Sequence, residues 1–173
     1  LDASFGSLGK VLLDLGSGSE DIAASVTQQV DGKILVSGSF TAQGSYNVDY
    51  GLARLNSDGS LDSSFGSNGK LLIDHSAGSL DGLYSALSLD NGKVLLAGYS
   101  NAQPAGRTGI NNNFSMLRLN ANGSLDSSFA GIGKAVVDLD SNTRDFARSV
   151  LRQSDGKILL IGTCVRRIKH LRH

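Results

Sequence analysis

The sequence predicts an all-β chain built from about three copies of one four-stranded antiparallel unit. Three observations predict it. A phrase recurs at a near-constant offset: Leu1-Asp-Ala-Ser-Phe-Gly6, Leu61-Asp-Ser-Ser-Phe-Gly66 and Leu125-Asp-Ser-Ser-Phe-Ala130. A second phrase recurs between them: Asp31-Gly-Lys-Ile-Leu-Val-Ser-Gly38, Asn91-Gly-Lys-Val-Leu-Leu-Ala-Gly98 and Asp155-Gly-Lys-Ile-Leu-Leu-Ile-Gly162. Short apolar runs alternate with Asp-Gly or Asn-Gly, the strongest local hairpin signal, because glycine accepts positive φ and Asp or Asn tolerates it.

Each period holds four strand-like runs. In the first they are Ile22–Gln29, Lys33–Phe40, Tyr50–Asn56 and Lys70–Asp74. Asp31-Gly32 separates the first two, and Asp58-Gly59 falls between the last two. A third phrase, Leu52-Ala-Arg-Leu-Asn-Ser-Asp-Gly-Ser60, returns as Met116-Leu-Arg-Leu-Asn-Ala-Asn-Gly-Ser124. Extra residues in the second period fall in the polar stretch Asn101–Asn113, a loop tolerant of insertion. Four short strands followed by the same again is the grammar of a propeller blade. Helical repeats would need apolar residues at i, i+3, i+4 and i+7, and no such window lies between these glycines.

With the four runs read from inner to outer strand, residues 21–75 form blade one and 81–139 blade two. Residues 145–163 supply the first half of blade three, and 1–15 the outer strand of a preceding blade. Propellers close with about 4 to 8 blades. Two full blades plus parts of two others make an incomplete ring with an apolar face open at each end. Further blades of the same polypeptide, or self-association, would cover them.

Composition excludes several functions. Residues 1–164 carry twelve Lys and Arg against sixteen acidic residues, a balance of −4 that offers nothing to nucleic acid. No apolar run approaches the roughly 20 residues of a membrane helix. Cys164 is the only cysteine, which excludes an internal disulfide and a cysteine zinc site. Residues 164–173 depart from the repeat and hold Arg166, Arg167, Lys169 and Arg172. This segment reads as a truncated or out-of-frame end, or as a genuine basic tail with anionic partners.

The phrases resemble the delta-60 repeat, a family of units of roughly 60 residues described as a β-propeller domain of unknown function. The resemblance covers nearly all of residues 1–163. It implies a large secreted or surface-attached bacterial protein and no catalytic residues.

No residue pattern demands chemistry, so no catalytic, cofactor-binding or metal-binding residue is assigned. Asn56, Asp58 and Asp62, with Asn120, Asn122 and Asp126, faintly suggest calcium loops. Calcium wants six to eight oxygens, and the plainer reading is turns held by side-chain to backbone hydrogen bonds. Arg54 and Asp62, like Arg118 and Asp126, sit symmetrically about a turn and read as cross-strand ion pairs. Phe5, Phe65 and Phe129 read as packing anchors between blades, Phe65 and Phe129 largely buried. The alternative for them is carbohydrate stacking. His75, beside Asp74, could act as a base, but it has no recognisable nucleophile as partner.

The reading is a non-enzymatic scaffold or binding module, secreted or on the bacterial cell surface, for a protein or carbohydrate ligand. The alternatives are a hydrolase or lyase fragment with its site at the central channel, and a structural spacer. Inner strands of an enzyme would need unique His, Asp or Glu. Those here offer Ser, Thr, Gln and apolar residues, with Arg148 and Arg152 late in the chain.

Overall fold

The computed structural model describes residues 1–75, 78–101, 111–140 and 143–166. It contains ten strands and, among these residues, no helix. Strands β1 (Glu20–Gln28), β2 (Ile34–Thr41), β3 (Asp49–Leu55) and β4 (Lys70–Ile73) form one antiparallel sheet in chain order. Strands β5 (Asp81–Ser88), β6 (Val94–Ser100), β7 (Asn113–Leu119) and β8 (Lys134–Val137) form a second with the same topology. Strands β9 (Thr143–Arg152) and β10 (Ile158–Arg166) form a third sheet of two. The chain is an all-β array of antiparallel blades in an open, unclosed arc. Part of the Asn101–Asn113 insertion lies outside the described residues, as do residues 167–173 of the basic segment. Cys164, Val165 and Arg166 continue β10, so the break in the repeat falls inside a strand.

The hairpin glycines act as expected. Gly32 and Gly92 have φ of 83° and 75°, and each closes a turn back to residue 29 or 89. A second feature recurs on the first strand of every sheet. Ala24, Tyr84 and Arg148 are each left out of the register, a β-bulge opposite Gly38, Gly98 and Gly162. Bulges twist a strand and re-aim its side chains.

Alternation along the middle strands builds the core. In β6, Val94 and Leu96 point to blade one, while Leu95 and Ala97 point to β9 and β10. Period-2 geometry therefore gives each blade two apolar faces. The first junction packs Leu35, Tyr50, Leu52 and Ile73 of blade one against Leu83, Val94, Leu96 and Leu117 of blade two. The second packs Leu95, Ala97 and Phe114 against Ala147 and Val150. The corresponding front face of blade one has no blade on it. Ile34, Val36, Ala53 and Leu55 line an apolar cleft of about 500 Å³ there, together with Phe5 and Val11. At the other end Leu151, Leu159 and Ile161 are exposed.

Residues 1–15 contain no strand, because no neighbour corresponding to β3 lies beside them. Their contacts nevertheless repeat those of 61–75. Gly6 N–H donates to Asp58 O at 2.8 Å, as Gly66 N–H donates to Asn122 O at 3.0 Å. Each Phe-Gly corner thus docks under the Asp-Gly or Asn-Gly turn of the next blade.

Candidate functional site

The recurring polar residues of the repeat are consumed by the fold. Asp58 Oδ1 accepts from Ser60 N–H at 2.9 Å and from Ser60 Oγ at 2.7 Å. Asn122 Oδ1 accepts the same pair from Ser124 at 3.0 and 2.8 Å. Only one acceptor oxygen is used, which is why Asp and Asn interchange. These turns are Asx turns, each closed on that one oxygen.

Arg54 and Asp62 meet, Nε to Oδ2, at 2.7 Å, and Lys33 joins the same oxygen at 3.1 Å. The set is more than the cross-strand pair that residue spacing predicts. Arg54 is 5% and Asp62 6% exposed. The guanidinium also donates to Ser64 Oγ at 3.0 Å and to Ala121 O of the next blade, and stacks 4.6 Å above the Phe65 ring. In blade two Arg118 and Lys93 meet Asp126 at 2.6 and 2.7 Å. The lysine of the Gly-Lys phrase is thus the third member, a pairing that spacing alone did not show. Lys157 has no such aspartate among the described residues and turns to Asp155 at 2.6 Å.

Burial opposes ionisation of Asp62, but hydrogen bonds from Ser64, Lys33 and Arg54 outweigh it and hold the carboxyl well below its usual range. A depressed folded value stabilises the fold above the unfolded carboxylate value of about 3.9 and ceases to do so as pH falls through the folded one. Asp62→Asn is expected to cost about 1 to 2 kcal/mol at pH 7, moderated by the solvent that reaches Lys33. The difference from wild type should hold from pH 7 to about 4 and shrink below it. Urea unfolding across that range checks both size and direction.

Phe65 is fully buried, but Phe129 is only half-buried. The expectation of equivalent burial fails for a physical reason. Gly123 of blade two stands over Phe65, and no described residue plays that part over Phe129. The His75 ring nitrogens are buried without hydrogen-bond partners, and burial holds the imidazole below its ordinary value. No nucleophile is paired to it among the described hydrogen bonds.

The copies also differ on the bulged first strands. Where blade one has Ala24, the next units have Tyr84 and Arg148. The Arg148 guanidinium lies 4.1 Å from the Tyr84 ring and 5.3 Å from that of Phe146. Tyr99 fills the space between, 5.7 Å from Tyr84 and 5.1 Å edge-on to Phe146. Gly82 makes room for it, since a Cβ there would lie 2.1 Å from the Tyr99 ring. Arg148 is exposed and the three rings are half-buried. Rings of this kind present stacking faces, and the guanidinium brings planar donors. Of these residues only Arg148 stood out in the sequence. The readable signal was divergence: an alanine, a tyrosine and an arginine at one repeat position.

One carboxylate trio among the described residues, Asp49, Asp74 and Asp81, brings oxygens close enough to share a cation. No helix of the described residues is long and apolar enough to cross a membrane.

The family model described as "domain of unknown function (DUF5122) beta-propeller" matches residues 29–65 and 89–129. The two stretches are the same part of the repeat, from the turn after the first strand to the corner phenylalanine. No curated protein matches the chain.

Proposed function

Because the two full units are β-propeller blades of a family without assigned function, we propose that the chain is part of a non-enzymatic binding scaffold. In this reading it belongs to a secreted or cell-surface bacterial protein and binds a protein or carbohydrate ligand. The resemblance of the repeat supports that placement. The ligand would sit along the bulged first strands, where Tyr84, Tyr99, Phe146 and Arg148 gather. That cluster is the observation that carries the reading. The repeated charges are spent on the fold, whereas these side chains do not repeat and reach the surface. Further blades, or other copies of the chain, would cover the open faces.

The full chain should be tested on an oligosaccharide array and a panel of extracellular proteins. Removing an aromatic or arginine anchor costs a hot spot about 2 kcal/mol, roughly thirtyfold in Kd. Tyr84→Ala and Arg148→Ala should each show that loss for any ligand captured. Unchanged affinity in both variants would move the site elsewhere, and turnover of a captured ligand would make the protein an enzyme.

A further inference from the structure

A pair of aspartates recurs outside these networks. Asp14 and Asp21, Asp74 and Asp81, and Asp138 and Asp145 hold the same two places in three copies. The second of each pair braces the turn after the outer strand. Asp21 Oδ2 accepts from Leu15 N–H at 2.8 Å, Asp81 Oδ2 from His75 N–H at 2.8 Å, and Asp145 Oδ2 from Leu139 N–H at 3.0 Å. That accounts for one oxygen of each. Asp81 has no exposed surface, and its Oδ1 accepts no hydrogen bond. Asp145 is buried and unsatisfied in the same way. A buried oxygen of this kind is costly unless something positive meets it.

At the first junction three segments bring their carboxylates to Asp81. Asp49 opens β3, Asp74 follows β4, and Asp81 opens β5 of the next blade. One carboxylate oxygen from each lies within 4.8 Å of the other two. None of the ion pairs among the described residues engages them. The Lys134 ammonium donates instead to the main-chain oxygens of Asp74 and His75, at 2.7 and 3.0 Å.

We propose that Asp49, Asp74 and Asp81 bind a divalent cation, calcium by preference, that clamps blade one to blade two. The donor set is all hard oxygen, as calcium and magnesium require, and calcium accepts the looser geometry. Calcium–oxygen distances of about 2.4 Å place opposite ligands about 4.8 Å apart, so the trio fits one ion. Carbonyls or water would complete the shell. At the next junction Asn113, Asp138 and Asp145 take the same places. Asn113 is 2% exposed and its Oδ1 also accepts nothing. That junction has one charge fewer, so the first is the stronger site.

The test is calcium chloride titrated into the full, chelator-treated chain by calorimetry, with thermal unfolding at constant ionic strength. One saturable site is expected, half-filled at about 0.1–1 mM, with Tm raised about 3–8 °C in 10 mM calcium. Asp49→Asn copies the residue of the next repeat, so it should fold, with circular dichroism as the check, and bind at least tenfold more weakly. Asp81→Asn should abolish the Tm rise. An absence of saturable binding, wild-type affinity in Asp49→Asn, or an equal Tm rise with magnesium would each overturn the proposal.

Discussion

Phe65→Ala is expected to destabilise the chain by about 3 to 5 kcal/mol, the usual cost of emptying a buried aromatic site. Phe65 belongs to blade one yet is enclosed by both blades. Arg54 lies 4.6 Å over one side of its ring. On blade two, Gly123 approaches so closely that an added Cβ would lie 3.1 Å from the ring. The truncation therefore opens a cavity in the junction itself and strips the stacking surface from a buried guanidinium. Phe129→Ala should cost about 1 to 2 kcal/mol, because its side chain is only partly covered. Equilibrium urea unfolding of both variants measures the contrast. A loss below about 1 kcal/mol for Phe65→Ala would show that the ring is no anchor.

Gly98→Ala should be nearly as damaging, at about 3 kcal/mol or more. Gly98 shows no positive φ, so the objection to a side chain is space. A Cβ there would lie 2.0 Å from Gly82 O and 2.9 Å from Leu83 Cα. Both obstacles are backbone atoms of β5 and cannot rotate aside. The β5–β6 pairing would have to part beside the Tyr84 bulge, losing ladder bonds between the first two junctions. Gly38 and Gly162 face the same obstacle, at 1.9 Å from Ile22 O and 2.0 Å from Phe146 O. The glycine that closes each Lys-Ile-Leu or Lys-Val-Leu phrase is thus a requirement of close strand approach. Soluble yield and thermal unfolding test it, and an unchanged Tm would mean that the bulge relaxes at little cost.

What the sequence made legible was local. Strand runs, hairpin turns and the repeat offset depend on neighbours a few residues apart, and the four strands of blade one begin and end within two residues of the expected runs. The Arg54–Asp62 pair was visible because both flank one turn. Lys33 was not, because it reaches Asp62 only after β2 pairs with β3. Equal burial of Phe65 and Phe129 was a natural inference from equal sequence, but burial belongs to the neighbour that covers a residue. Tyr84, Tyr99, Phe146 and Arg148 meet across two repeats at positions where copies differ, so a search for recurring phrases passes over them. The recurring aspartate pair was readable in the chain. Its approach to Asp49 required the strand register.

The two faces of each blade carry different residues, Val94 and Leu96 on one side of β6 and Leu95 and Ala97 on the other. This has a consequence for any assembly of copies. A two-fold dimer would press like against like, whereas the blades are built to press front against back. Copies that cover each other's ends must therefore associate head to tail. Such heterologous contact closes into a ring when the rotations sum to a full turn, and otherwise continues as a filament.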